Sequence, residues 1–441
     1  VDKLIPVFYK SYGEYVNHFR AFPLDVDGLK PVERRILLSS YEIARDKYVK
    51  SARIDGHCIG HYHPHGSSYS TIVQLVNQGF LDGQGNFGSS VGVEDNPPAA
   101  MRYTECKLSK KTTNMAFKLL DYVPWAESEL DKEPEYLPTM FPFCIIGHEY
   151  TVGIGFGYRT YIPCYTVEDL YSRLLYLLKK EKTKVIIKPI SDCDILATDK
   201  ELEELLTTGK ASIKVRGKVK VDNAHCKVTV KSWPPGRKFE SFLGKFNKEL
   251  ESQDIGFTDL STSETNIVFE VLKQRSRDEI FKKFVEKLKD SLTGSISFET
   301  IIVDMNKRVR NISIDEMLLN TYHMYEQTNG AMLKSEIERV DGLIKENLIL
   351  EKIKPALSSY LRPKQVFKFD EAITTISDLC NLDEKIVKEL FQKYRISKLL
   401  TTNTDIKELE EKKEAIKNNL TNLSKYVLSQ YKEIGYVKEN H

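Results

Sequence analysis

The sequence predicts a multidomain α+β protein, and three observations carry the prediction. A chain of 441 residues with 41% apolar content is long enough for about three domains, each with a core of its own. Between Lys210 and Val221, Ile213, Val215, Val219 and Val221 alternate with Lys214, Arg216, Lys218 and Lys220, the period of a strand with one apolar and one basic face. From Ser313 onward apolar residues recur at spacings of three and four, as in helices packed along a seam. The pattern divides the chain into residues 1–136, 137–310 and 311–441.

No apolar run is long enough to span a bilayer and no signal peptide opens the chain, so a soluble cytoplasmic protein is expected. Cys58, Cys106, Cys144, Cys164, Cys193, Cys226 and Cys380 are scattered without C-x-x-C spacing. They read as reduced thiols, mostly small core hydrophobes, rather than disulfides or a structural zinc site. With a net charge of only +2, any nucleic-acid binding must come from local basic surfaces.

Taken in order, Ile5, Phe8, Tyr9, Tyr12, Tyr15, Val16 and Phe19 have roughly helical spacing. Asp27 to Pro31 then turns the chain, with Pro31 placed to begin a helix running to about Arg45. Leu29, Val32, Ile36 and Ile43 share one face of it and Arg34 falls nearly opposite. Arg34 and Arg35 are therefore expected to project away from the core, either solvated or reaching phosphates. His57, His61, His63 and His65 crowd between Gly56 and Gly66, but Pro64 interrupts any helix that would align them and no carboxylate or cysteine pattern completes a zinc shell. Ser67 and Ser68 are expected to cap a helix through Ile72, Val73 and Val76 to Gly79. That would put His63 and His65 at a helix N-terminus, where an anion is favoured.

Gly83 to Gly88 matches the dinucleotide fingerprint G-x-G-x-x-G, yet Ser89 to Gly92 and Pro97-Pro98 follow it instead of a helix. It reads as a glycine-built loop that lets the backbone approach something closely. Downstream, Tyr103 directly follows Arg102 in Ala99 to Glu105. A phenol beside a guanidinium suits attack on a phosphodiester, since the cation steadies the pentacovalent phosphate and the phosphotyrosine stores the broken bond. A half-buried tyrosine with a surface arginine is the plainer alternative.

In 137–310, Val228 to Val230 and Ile267 to Val271 supply further strands, with helices near 239–252 and 278–291. The basic face of 210–221 reads as a charge-protected solvated edge or as a surface for phosphates. Ser313 to Glu316 is a capping box. Leu333, Ile337, Val340 and Ile344 follow it until Pro355, and Ile406, Leu409, Ile416, Leu420, Leu423 and Val427 form a second seam interrupted by Lys413. The two seams suggest an antiparallel coiled coil with a globular tip at about 356–403, or a plain helical hairpin packed on the body.

Asp27 to Arg35, Ser51-Ala52-Arg53, Tyr62 to Gly66, Asp82 to Gly88 and Ala99 to Glu105 stand in one order that resembles the breakage-reunion, or A-type, subunit of type IIA DNA topoisomerases. That family includes the gyrase and topoisomerase IV A subunits and the T-even phage medium subunit, and the compact length leans towards the phage member. The resemblance implies a winged-helix breakage-reunion domain, a tower domain and a coiled coil ending in a C-gate. It implies Tyr103 as nucleophile, Arg102 and His65 on the scissile phosphate, Arg34 approaching it, and Lys30, Arg35, Arg53 and His63 on the DNA surface. Gly153 to Gly157 resembles the segment whose isoleucine, here Ile154, wedges between base pairs and bends the duplex. From pattern alone Ile154 reads as core. Lys214, Arg216 and Lys218 would face phosphates on the tower. Val26, Glu33 and His61 depart from the arginine, histidine and lysine common in the family.

The implied activity is that of an ATP-dependent type II topoisomerase, making a transient double-strand break through a 5′-phosphotyrosyl link and passing a second duplex. Homodimers would form through the C-gate and winged-helix domains. No P-loop or acidic metal cluster is found here, and the resemblance implies that Mg2+ and ATP belong to an ATPase/TOPRIM B-type partner in a heterotetramer. No room is left for a DNA-wrapping pinwheel after Tyr431, which implies relaxation and decatenation rather than gyrase-type supercoiling, in a nucleoid-associated or virus-encoded enzyme. The rival reading is a non-catalytic architectural protein that bends DNA.

Overall fold

The computed structural model of the chain describes residues 4–148, 150–235, 239–272, 275–362, 367–401 and 405–433, with the side chains of Leu4, Ile5 and Glu433 outside them. The fold is mixed α and β, with two compact units, residues 1–325 with 430–441 and residues 326–429. Among the described residues no helix is long and apolar enough to cross a membrane.

The first unit opens with the helix Leu4–Val16 and a π-helical turn, Asn17–Ala21. Pro31, its fixed φ suited to a first turn, begins the helix Pro31–Ile43, which stops two residues short of the expected Arg45. It packs with Ser51–His61 and Tyr69–Asn77, burying Leu29, Ile36, Ile54, Cys58, Ile72 and Leu75. A small antiparallel sheet lies against these helices, with Glu105–Leu108 between Val49–Lys50 and Leu81–Gln84. Gly83 belongs to the last of these strands, and no helix follows the glycine run.

Two larger sheets follow. One has five strands in the order Tyr150–Ile154, Arg159–Pro163, Thr293–Glu299, Lys210–Arg216, Asp194–Ile195. The other has four, Val219–Asp222, Lys227–Val230, Ile267–Val271, Ile255–Asp259. The single strand expected over 210–221 is thus two strands in different sheets. Gly217 is the break: its N–H donates to the Leu292 carbonyl, and a Cβ there would lie 2.4 Å from the Ser232 carbonyl oxygen. The alternation survives the break, because Ile213 and Val215 enter one core and Val219 and Val221 pack on the other. Phe239–Ser252 and Arg277–Ser291 cover the four-stranded sheet with Phe242, Phe246, Phe281 and Phe284.

Ser313 caps the 48-residue helix Ile314–Leu361 by accepting from the Glu316 N–H at 2.9 Å. The other half of the expected box is absent, since the Glu316 carboxylate takes Arg310 instead. Pro355 does not end the helix. Ile353 before it and Leu357 and Tyr360 beyond it pack with Ala372, Ile376, Val387 and Leu390, and this burial offsets the hydrogen bond that proline removes. In the second unit Leu333, Val340 and Ile344 meet Ile416, flanked by Ile337, Ile406, Leu409, Leu420 and Leu423. Contacts of Glu336 with Lys412 and Asp341 with Lys413 accompany this packing against the partner helix Ile406–Thr421. The polar interruption Lys413 is therefore paired across the seam, 2.5 Å from Asp341. Phe369–Cys380, Glu384–Lys393 and Ile396–Thr401 build the small helical cluster of this unit.

Six of the seven cysteines are buried. Burial pushes the thiols of Cys58 and Cys106 up to about 11, so both stay protonated and pack as small hydrophobes.

Candidate active site

Tyr103 sits in a turn between Ala99 and the strand Glu105–Leu108, its side chain 64% exposed. The turn itself is clamped. The Tyr103 N–H donates to the Ala100 carbonyl, and the neighbouring Thr104 is fully buried, its hydroxyl donating to Ser51 Oγ at 2.8 Å. Tyr69 Oη donates to the Ala99 carbonyl at 2.6 Å and lies 3.0 Å from Thr104 Oγ1, while the Ala99 N–H reaches the Asn86 carbonyl. A fixed backbone thus presents the phenol to solvent, with the Arg102 guanidinium 4.6 Å from its ring centroid. Tyr69, Thr104 and Ser51 escape a reading of the sequence, because a clamp made of two hydroxyls and a phenol leaves no spacing pattern.

Arg34 contradicts its expected orientation. It is buried, with Nε 2.7 Å and Nη2 3.0 Å from the two Asp27 carboxylate oxygens. Burial works against its charge, but Asp27 outweighs it and holds the pKa above its ordinary value. Periodicity places Arg34 opposite Leu29 correctly, yet the turn before the helix brings Asp27 over that face. Arg35 is also largely enclosed: both Glu133 carboxylate oxygens take it, at 2.7 and 2.8 Å, and Ser128 Oγ accepts a third bond.

The Arg35 Nη1 lies 3.2 Å from His63 Nδ1. Burial first, then Arg35, His65 and Arg20, push the His63 pKa down to about 4. A neutral His63 that accepts at Nδ1 keeps its Nε2–H as a donor. His65 stands between Arg20, 3.4 Å from Nδ1, and Glu129, 3.0 Å from Nε2. Arg34, Arg35, His63 and His65 line one cleft of about 540 Å³, and Tyr103 is not among its lining residues. The histidines lie in the segment 62–66, ahead of the helix Tyr69–Asn77 and outside its first turn. Ser68 does not cap that helix with its side chain, while Ser67 Oγ accepts from the N–H of Tyr69, its first residue, at 3.3 Å. Both hydroxyls donate to Asp55, at 2.8 Å, because a buried carboxylate must be satisfied.

Lys30 is half-buried and donates through Nζ to the Val152 carbonyl at 2.7 Å. Arg53 is exposed on Ser51–His61. Ile154, which pattern alone would bury, is 75% exposed at the end of the hairpin Tyr150–Ile154 and Arg159–Pro163. The hairpin is held from behind: Asn17 donates to the Phe156 carbonyl and accepts from the Phe156 N–H, and a Cβ on Gly153 would lie 2.3 Å from the Ala21 carbonyl oxygen. Lys214 and Arg216 are exposed on the five-stranded sheet, and Lys218 is exposed in the link to the next. Among the described residues no three His, Cys, Asp or Glu side chains are grouped to hold a metal ion.

The sequence model of the family of DNA gyrase/topoisomerase IV A subunits matches residues 20–440. The A subunit of DNA gyrase from Thermotoga maritima is 30% identical over 337 residues, covering 70% of this chain and 41% of its own length. That from Helicobacter pylori is 29% identical over 347 residues, covering 72% and 41%. The A subunit of DNA topoisomerase 4 from Haemophilus influenzae is 36% identical over 233 residues, covering 47% and 30%. The matched stretch spans less than half the length of each of these relatives. With nearly its whole length matched, the chain belongs to the family of DNA gyrase and topoisomerase IV A subunits.

Proposed function

We propose that this chain is the breakage-reunion subunit of an ATP-dependent type II DNA topoisomerase. The observation that carries the reading is Tyr103, exposed on a clamped turn beside Arg102. In this reading the Tyr103 oxygen attacks a backbone phosphorus, its proton is lost, and the bond to the 3′ oxygen breaks. A 5′-phosphotyrosyl link and a free 3′ hydroxyl result, and reversal reseals the strand. Arg102 and His65 steady the charge that builds on the phosphate. The relatives are named as gyrase and topoisomerase subunits, which speaks against a purely architectural DNA-bending protein.

In the expected domain 1–136, the helices Pro31–Ile43, Ser51–His61 and Tyr69–Asn77 and the small sheet suit a winged-helix domain that presents Lys30, Arg53 and His63 to the duplex, with Arg35 held on Glu133. Arg34 acts there from behind, fixing the turn through Asp27. The two larger sheets correspond to the tower, with Lys214, Arg216 and Lys218 towards phosphates, and the helical cluster around 367–401 to the C-gate. Ile154 is the wedge. Because Tyr103 does not border the cleft lined by Arg34 and His65, a homodimer completes each site by bringing the tyrosine of one copy to the cleft of the other. Mg2+ and ATP belong to a B-type partner in this reading, which rests on the family of A subunits, and DNA passage follows in the joint assembly.

The test is to incubate the chain and its B-type partner with plasmid and trap with denaturant. Protein linked to 5′ ends, lost in Tyr103→Phe, is expected. DNA bending without any adduct would overturn the assignment.

A further inference from the structure

Glu127, Glu129, Asp131, Glu133 and Glu135 place a carboxylate at every second residue of 127–135. The segment forms a two-stranded ribbon, Trp125–Glu127 against Lys132–Pro134, belonging to neither larger sheet. Three of its carboxylates land on the basic side chains of the cleft and its margin, while Glu127 pairs with Lys132 within the ribbon. Glu129 Oε1 lies 3.0 Å from His65 Nε2, Asp131 Oδ2 lies 2.7 Å from His61 Nδ1, and both Glu133 oxygens take Arg35. These are distances at which a phosphodiester oxygen would accept from the same groups. In a chain whose DNA contacts must come from local basic surface, three such groups are already occupied by acid.

The contacts are unequal. Glu133 and Arg35 are 21% and 12% exposed, a bidentate pair that anchors the ribbon's base together with the Glu135 N–H on the Pro124 carbonyl. At the tip, Glu129 and Asp131 are 46% and 56% exposed. Beyond these contacts the tip is tied by the Asp131 N–H on the His61 carbonyl at 3.2 Å and by Ser128 on Arg35. Exposed polar contacts of this kind are weak, and screened by salt where both groups are charged, and an isolated two-stranded ribbon is marginal by itself. The tip is thus built to let go while the base holds.

We propose that the 125–134 ribbon is an acidic strap that covers the phosphate-facing sides of His65 and His61 in the free protein and is displaced at its tip by duplex DNA. The strap rests on the reading that His65 faces DNA. It makes DNA binding a competition, in which a duplex long enough to offer several phosphates wins and isolated anions do not.

Anisotropy with a short fluorescent duplex and the full chain tests both layers separately. His65→Ala should weaken binding relative to the unaltered chain; equal binding would overturn the site reading itself. Given that result, Glu129→Gln and Asp131→Asn should each tighten binding about two- to fivefold, the scale of an exposed ion pair. The exposed, distant-in-sequence Glu410→Gln removes the same charge and should leave affinity unchanged. The gain from Glu129→Gln should vanish in a His65→Ala background, and that from Asp131→Asn in His61→Ala. Affinities of Glu129→Gln and Asp131→Asn equal to that of Glu410→Gln, or weaker than that of the unaltered chain, would overturn the strap. Matching thermal midpoints for all variants exclude unfolding as the cause.

Discussion

Asp27 decides what Arg34 does. Its buried carboxylate accepts from Arg34 Nε and Nη2 and from the backbone N–H groups of Leu29 and Leu137. Removing the guanidinium leaves that charge half-compensated, so Arg34→Ala should lose roughly 3–5 kcal/mol in denaturant unfolding; a loss of a few tenths would return Arg34 to the surface. The periodicity of 29–43 tells which face Arg34 occupies but not what covers it, since Asp27 comes from outside the helix. Tyr103 is the opposite case. Its phenol is exposed on a turn held by other groups, so Tyr103→Phe should keep its melting midpoint and duplex affinity while giving no covalent adduct. Titration of His63 supplies a third expectation. Its folded pKa, pushed to about 4 by burial and by Arg35, His65 and Arg20, lies below that of the unfolded chain. As pH falls from about 6.5 to about 4, the unfolded state takes up the proton first and stability is lost. Asp25, raised to about 6 chiefly by burial, works oppositely, its contribution disappearing as pH rises through that value. The measurement is therefore a difference: His63→Gln should unfold with a smaller acid-side loss than the unaltered chain, and an identical pH profile would refute it.

Elements are legible in the sequence where one face is apolar, and misread where a single backbone contact overrides the pattern. The helices near 239–252 and 278–291 stand almost where the spacing puts them. The strand over 210–221 is divided because Gly217 lets the Ser232 carbonyl approach, an event without any trace in alternation. Pro355 reads as a stop, yet the packing on both sides of it carries the helix to Leu361. The hairpin around Ile154 shows the same limit from the other side. Periodicity buries this isoleucine, while the resemblance to a known segment exposes it, and the structure exposes it. Its exposed side chain stands on a turn braced by Asn17, a rigid mounting that suits the proposed wedge between base pairs. Ile154→Ala should therefore reduce the bend angle of a bound duplex, read by energy transfer between its ends, before it reduces affinity for a flexible site. Unchanged transfer would remove the wedge.

At the scale of the whole molecule, five short motifs in one order carry the family, whereas the assembly of the site does not follow from them. Arg34, Arg35, His63 and His65 share a cleft that Tyr103 does not line, although the motifs lie within about eighty residues of one another. Spacing along a chain says nothing about which copy supplies a group. In the proposed twofold dimer each cleft would meet the tyrosine of the other copy, and this has a consequence that single variants cannot show. Tyr103→Phe and His65→Ala are each expected to give no adduct alone. A mixed dimer of the two carries both lesions in one composite site and neither in the other, so one strand should still be cut. Random exchange makes half of all dimers mixed, with one working site in two, giving adduct at about a quarter of the unaltered level. If each site were built within one chain, every site of the mixed dimer would carry a lesion. Nicked, protein-linked plasmid appearing only after the two variants are mixed with the B-type partner supports the shared site, and no adduct in the mixture overturns it.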